Sequence, residues 1–160
     1  MAPRSSSAVG ALGVLVALSL SGCALTAQIT TGLPYSASDG TGATVDGVVA
    51  QNMLLVTAGA GDKAALVGSF YNETGAPVTV VLTVEQTKAT FTIPSKSTVN
   101  VGVGTGDTKL ITTTTVAPGL TSDITINVDR AASSTKPVPV MDGTLPSYKE
   151  VLAELQATSS

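Results

Sequence analysis

The chain's only cysteine, Cys23, stands in the stretch LSLSGCALTAQ, residues 18–28. A thiol at such a place has five uses: nucleophile, disulfide half, metal ligand, buried filler or attachment point. One cysteine forms neither an internal disulfide nor a Cys-x-x-Cys site. The chain contains no histidine, which removes the commonest general base, the commonest metal ligand and the Cys–His or Ser–His nucleophile pair. Beyond Cys23 and the initial Met1 the soft donors are Met53 and Met141. Thioether sulfur suits Cu(I), so these two are a weak metal-site alternative, against which stands the ordinary use of Met as a filler of core gaps.

Other stretches fail as catalytic or binding motifs. GVGTG, residues 102–106, lacks the G-x-G-x-x-G spacing and precedes no helical pattern; GAGDK, residues 59–63, is no phosphate loop. Both read as hairpin glycines. Asp39, Asp46, Asp62 and Asp107 each adjoin glycine without calcium-loop spacing. Asn72-Glu73-Thr74 has the form of a glycosylation sequon but reads as a turn, and Ser95-Lys96 would put neighbours on opposite faces of a strand. No residue set supports an enzyme, and no cofactor is expected. The net charge of −3, without a basic run, speaks against a nucleic-acid partner.

The flanks of Cys23 favour attachment. MAPRSSS carries one positive charge, Arg4, and is followed by the uncharged apolar run Ala8–Leu20. That run has the length of a signal-peptide core and is short for a membrane span. Leu20, Ser21 and Gly22 then precede the cysteine, a sequence that resembles the bacterial lipobox. The resemblance implies cleavage before Cys23 and a diacylglycerol thioether on its sulfur. Membrane lipid becomes the first expected partner, and the extracytoplasmic face of the cell membrane the expected location. A plain membrane anchor, or a secretory signal cut elsewhere, stays open. Arg4 leaves with residues 1–22, so seven basic residues face eleven acidic ones in the mature chain. An acidic domain gains nothing from anionic lipid, and the acyl chains must hold it.

Residues 23–43 read as a lipidated amino terminus and flexible tether, small and polar and broken by Pro34, Gly40 and Gly42. Twenty residues reach about 65 Å extended and about 25 Å as a coil. From residue 44 the pattern has period two. Val78, Val80, Leu82 and Val84 share a face against Thr79, Val81 and Thr83; Ala89, Phe91 and Ile93 alternate with Lys88, Thr90 and Thr92. Val99, Val101 and Val103 form a third row, and Ile124, Ile126 and Val128 a fourth. Weaker strand patterns occupy 45–57, 64–72, 109–116 and, briefly, 137–141. Seven or eight strands over 44–141, separated by Gly/Pro/Asp turns, predict an all-β fold, an antiparallel immunoglobulin-like or cupredoxin-like sandwich. In the tail, 142–160, Leu145, Tyr148, Leu152 and Leu155 fall at helical spacing, with Thr144 as cap and Pro146 in the first turn. This short amphipathic helix packs on the sandwich edge or docks on a partner; the sequence leaves both open.

The lipobox is followed by AQITTGLPYSASDG, then VVAQNMLLVTAG, AALVGSFYNETGAPVTVVLTV and VAPGLTSDITINV. This combination resembles the small actinobacterial lipoproteins of the LpqE type. That family is similar in fold to periplasmic copper chaperones of the PCuAC type, which bind Cu(I) through paired His and a set of Met. The resemblance implies the fold; the missing His puts the copper function in doubt. It also implies a membrane protein complex as partner, with the chain as an accessory subunit of the respiratory cytochrome supercomplex.

Overall fold

The computed structural model describes residues 38–129 and 131–157. Cys23 and the lipobox Leu20, Ser21 and Gly22 lie outside them, as does most of the stretch read as a tether. Among the described residues nine strands and one helix follow in order: β1 (Thr41–Val45), β2 (Val48–Thr57), β3 (Lys63–Asn72), β4 (Val78–Val84), β5 (Thr87–Ile93), β6 (Thr98–Val101), β7 (Ile111–Thr113), β8 (Thr121–Val128), β9 (Ala132–Met141) and α1 (Pro146–Ala157).

The neighbour order is β5-β4-β8-β9-β2-β3-β6, with β1 on β2 and β7 on β3. The period-two strands behave as their sequences require. Val80, Leu82 and Val84 of β4, and Ile124, Ile126 and Val128 of β8, are wholly buried in one core with Leu55, Leu66 and Phe70. Phe70 and Phe91 meet edge-to-face, ring centres 5.5 Å apart. Such a pair adds about 0.5–1.5 kcal/mol beyond its buried area.

Three expectations need correction. The architecture is mixed and nearly barrel-like, not a strictly antiparallel sandwich. β9 pairs with β8 antiparallel from Thr121↔Pro139 to Val128↔Ala132, then meets β2 in parallel at Leu55↔Val140 and Val56↔Met141. One strand thus belongs to both layers. Proline explains why the parallel contact is short. Val140 N–H bonds Leu120 O, so even-numbered residues of β9 turn their backbone to β8. Pro137 and Pro139 turn theirs the other way, where they offer no N–H. The Thr41 hydroxyl takes the free Pro137 carbonyl at 3.0 Å.

The strand count is also higher, and the boundaries move. The stretch 45–57 is two strands joined at Asp46-Gly47, whose φ values of 44° and 75° fit the tight turn that Asp-Gly favours. β1 begins at Thr41, inside the stretch assigned to the tether. Gly40 serves close approach there: a Cβ would lie 2.4 Å from the backbone of Asn52. The strand expected over 109–116 shrinks to β7, and β9 extends well before residue 137.

The third correction concerns the helix start. Tyr148 and Lys149 N–H both bond Leu145 O, which makes Leu145 the cap position and Pro146 the first helical residue. Thr144 instead gives its N–H to Asp142 Oδ1 at 2.9 Å. The Thr144 hydroxyl first, and then that bond, hold the Asp142 carboxyl below its usual value.

Candidate functional site

The sequence nominates two groups of described residues, Met53 with Met141 and the residues of the helix, and the structure places them apart. Met53 is fully buried within the main core cluster, opposite Thr41. Met141 is half-buried outside that cluster, opposite Val56 at the end of β9. They do not converge on a shared opening. Among the described residues no group of three or more His, Cys, Asp or Glu side chains is placed to hold a metal.

The helical residues gather at the other face of β2 and β3. Leu54, Val56 and Ala65 are wholly buried yet outside the main core, and α1 packs against these two strands. Leu155 is 4% exposed, while Leu145 is 44% exposed. Leu152 lies over Gly143, where a Cβ would come within 2.6 Å of its Cδ1. Tyr148 ties the helix to the start of the domain by donating its hydroxyl to Asp39 Oδ2 at 2.8 Å.

Burial first, and then the Asp39 carboxylate, push the Tyr148 phenol up to about 12. Its ordinary value is 10.0. A group whose folded value is raised contributes stability that is whole below the unfolded value and lost as pH rises through the folded one. Wild-type stability should therefore fall between about pH 10 and 12 more steeply than that of Tyr148→Phe. At pH 7 this variant should cost about 0.5–1 kcal/mol, one hydrogen bond. Denaturant unfolding across the pH range checks this; parallel curves would remove the contact from the account.

Two features are structural where the sequence offered chemistry. Asp107 folds over the GVGTG loop, and a Cβ at Gly102 or Gly104 would sit 2.7 or 2.9 Å from its carboxylate oxygen. The chain's own carboxylate thus lies against these glycines. Ser95 donates to Thr74 O at 2.9 Å, while Lys96 Nζ donates to Glu73 O. Both serve the β3–β4 loop and form no dyad.

Asn72 is the residue whose weight the sequence did not reveal. It is wholly buried at the end of β3. Its Nδ2 donates to Ala76 O, Ile93 O and Pro94 O at 2.8, 3.0 and 3.2 Å. Its Oδ1 accepts from Thr74 N and Oγ1 at 2.8 and 2.7 Å. The sequon asparagine therefore clamps the β3–β4 loop to the end of β5, as an Asx turn with a buried amide. The only signal in the sequence is the density of turn formers in NETGAP.

No protein-family model matches the chain, and no curated protein matches it. Solved structures do. The apo PCuAC domain from PmoF1 superposes with a TM-score of 0.53 at 13% identity, covering 64% of this chain and 99% of that one. The domain is similar in fold to PCuAC domains. The copper-bound PCuAC domain from PmoF2 gives a TM-score of 0.50 at 14% identity, covering 64% and 98%. At such identity the likeness is one of fold alone. The donors nominated by the sequence stand apart on this PCuAC-like frame: the chain has no His, Met53 is sealed in the core, and Met141 lies outside that core cluster.

Proposed function

We propose that the chain is a non-catalytic lipoprotein, held by acylated Cys23 at the extracytoplasmic face of the cell membrane, whose PCuAC-like domain binds another protein. Its place is that of an accessory subunit of a membrane complex, with the respiratory cytochrome supercomplex as the specific candidate suggested by the resemblance to LpqE-type lipoproteins. The observation that carries the reading is a PCuAC-like fold whose two methionines are packed apart, one of them sealed in the core. Of the helical residues Leu145, Tyr148, Leu152 and Leu155, Leu145 is the most exposed and the proposed docking contact, with the half-buried Tyr148 and Leu152 beside it, while Leu155 is engaged inside the domain.

Crosslinking in cells, followed by purification from gently solubilised membranes, tests this reading. A defined membrane-protein partner should co-purify in fixed proportion, and less of it with Leu145→Asp. Recovery of the protein alone after crosslinking would sink the proposal.

A second reading is a copper or small-ligand binding module, with copper the ligand that a specific observation favours. It is favoured by the fold likeness to a copper-bound PCuAC domain. It would require thioether sulfur as the main donor, since imidazole is absent from the chain.

A further inference from the structure

Open sheet edges normally carry a device that stops another strand from pairing with them. Most edges of this fold have one. β6 has four residues and β7 three. β1 has five and a register shift between Thr41 and Ala43. The side of β9 turned away from β8 carries Pro137 and Pro139. β5 differs: among the described residues its outer side has no paired strand, its one such device is the charged Lys88, and its seven residues, TKATFTI, contain no proline and pair with β4 in unbroken register from Val84↔Thr87 to Val78↔Ile93.

The direction of its backbone groups follows from two observations. A two-residue loop, Glu85-Gln86, joins β4 to β5, which makes Val84↔Thr87 a hydrogen-bonded pair. Asp129 N–H bonds Thr79 O, so odd-numbered residues of β4 face β8 and even-numbered ones face β5. Hence Thr87, Ala89, Phe91 and Ile93 bond to β4. Lys88, Thr90 and Thr92 direct N–H and C=O away from the sheet, and their side chains are exposed. Beside them Ala89 and Phe91 are only partly covered, at the rim of the core.

We propose that this edge is an interface for β5 of a second copy of the chain, paired antiparallel about Thr90. The strand's own sequence supports that occupant. A two-fold axis at Thr90 sets Thr90 opposite Thr90, Lys88 opposite Thr92 and Ala89 opposite Phe91. All three outward residues then exchange backbone bonds, giving six across the axis. No like charges face each other, and each half-covered Phe91 meets the small Ala89 of the other copy on the core side. The contact is small beside stable interfaces of about 1,200–2,000 Å², so the dimer is weak and depends on concentration. The inference does not depend on the lipid anchor or on any other partner.

Disulfide trapping in the full chain tests it. Hydrogen-bonded pairs bring Cα atoms to about 5.5 Å, within disulfide range. All chains carry Cys23→Ser, so that no native thiol competes. Under mild oxidation Thr90→Cys should then give a reductant-sensitive species of twice the mass. The Cys23→Ser chain alone should give none, and Thr135→Cys, an exposed position on β9 away from β5, should give only the slow rate of random collision. In the Thr90→Cys background, Thr92→Lys puts a positive charge opposite Lys88 of the second copy twice over and should slow trapping about tenfold. Thr92→Glu should speed it. Trapping no faster than with Thr135→Cys, or equal rates for Thr92→Lys and Thr92→Glu, would overturn the proposal.

Discussion

Asn72→Ala should destabilise the domain by about 3–4 kcal/mol, since each buried polar group left unpaired costs about 1–3 kcal/mol. The side chain holds three carbonyls and two donors at once, from Ala76 and Thr74 in the loop to Ile93 and Pro94 at the end of β5. Alanine leaves Ile93 O, deep in the structure, without this donor, and adds a small cavity. The Thr74 hydroxyl keeps its contact with Ala76 O at 2.8 Å, so the loss is less than complete. At about 4 °C per kcal/mol for a domain of this size, Tm should fall by more than about 10 °C. Asn72→Asp is the sharper probe, because it keeps the acceptor and the shape while turning an acceptor toward three carbonyls. It should cost at least as much as alanine. Thermal and denaturant unfolding read both variants; an Asn72→Asp protein within about 1 kcal/mol of wild type would show that the amide bonds are incidental.

Cys23→Ala has the largest expected effect on location. If two acyl chains on Cys23 hold the protein, removing the thiol removes their attachment. Each buried methylene contributes about 0.8 kcal/mol, which makes two chains a stable anchor where one is reversible. The variant should leave the membrane pellet or accumulate as a precursor retaining residues 1–22, and its intact mass should lack the lipid. Fractionation with mass spectrometry decides between these outcomes. A Cys23→Ala protein that pellets and migrates like wild type would mean that the cysteine behind Leu-Ser-Gly is incidental.

Residues with a clean period of two were readable because burial alone dictated them. β4, β5 and β8 follow the expected faces, with Val80, Leu82, Ile124 and Ile126 all inside. β2 was harder. Its buried set changes parity, from Val48 and Ala50 to Met53 and Leu55, because the register shifts between Gln51 and Leu54 at a left-handed Asn52, φ 52°. One extra residue in a strand reverses which side chains face the core. Asp46-Gly47 is a strong hairpin signal by itself, but Val, Ala and Leu around it read as one continuous run. In β9 two prolines lie inside a ten-residue strand; they are tolerated because both turn away from β8. Over 109–116 the threonines favour strand locally, yet only Ile111–Thr113 forms a ladder with β3, with one further bond from Leu66 N–H to Leu110 O. Thr114 instead turns its hydroxyl to Glu85 Oε1 at 3.2 Å. Candidate residues were legible by type but not by place. Nothing local says that Met53 lies in the core or that Asn72 bridges residues 76 and 94.

The fold also sets the question that function turns on. A PCuAC-like frame invites the expectation of copper, and the absence of His together with a sealed Met53 opposes it. Helix α1, tied to the domain start through Tyr148 and Asp39, leaves Leu145 exposed. On the proposed reading these features belong to a domain that presents surface to a protein rather than one that passes a metal.

Cu(I) titration of the purified protein against a strong Cu(I) chelator tests that preference most directly. The account predicts that the chelator keeps the metal, with no difference between wild type, Met53→Ala and Met141→Ala. Copper withheld from the chelator by wild type, and released by either methionine substitution in a variant that remains folded, would contradict it.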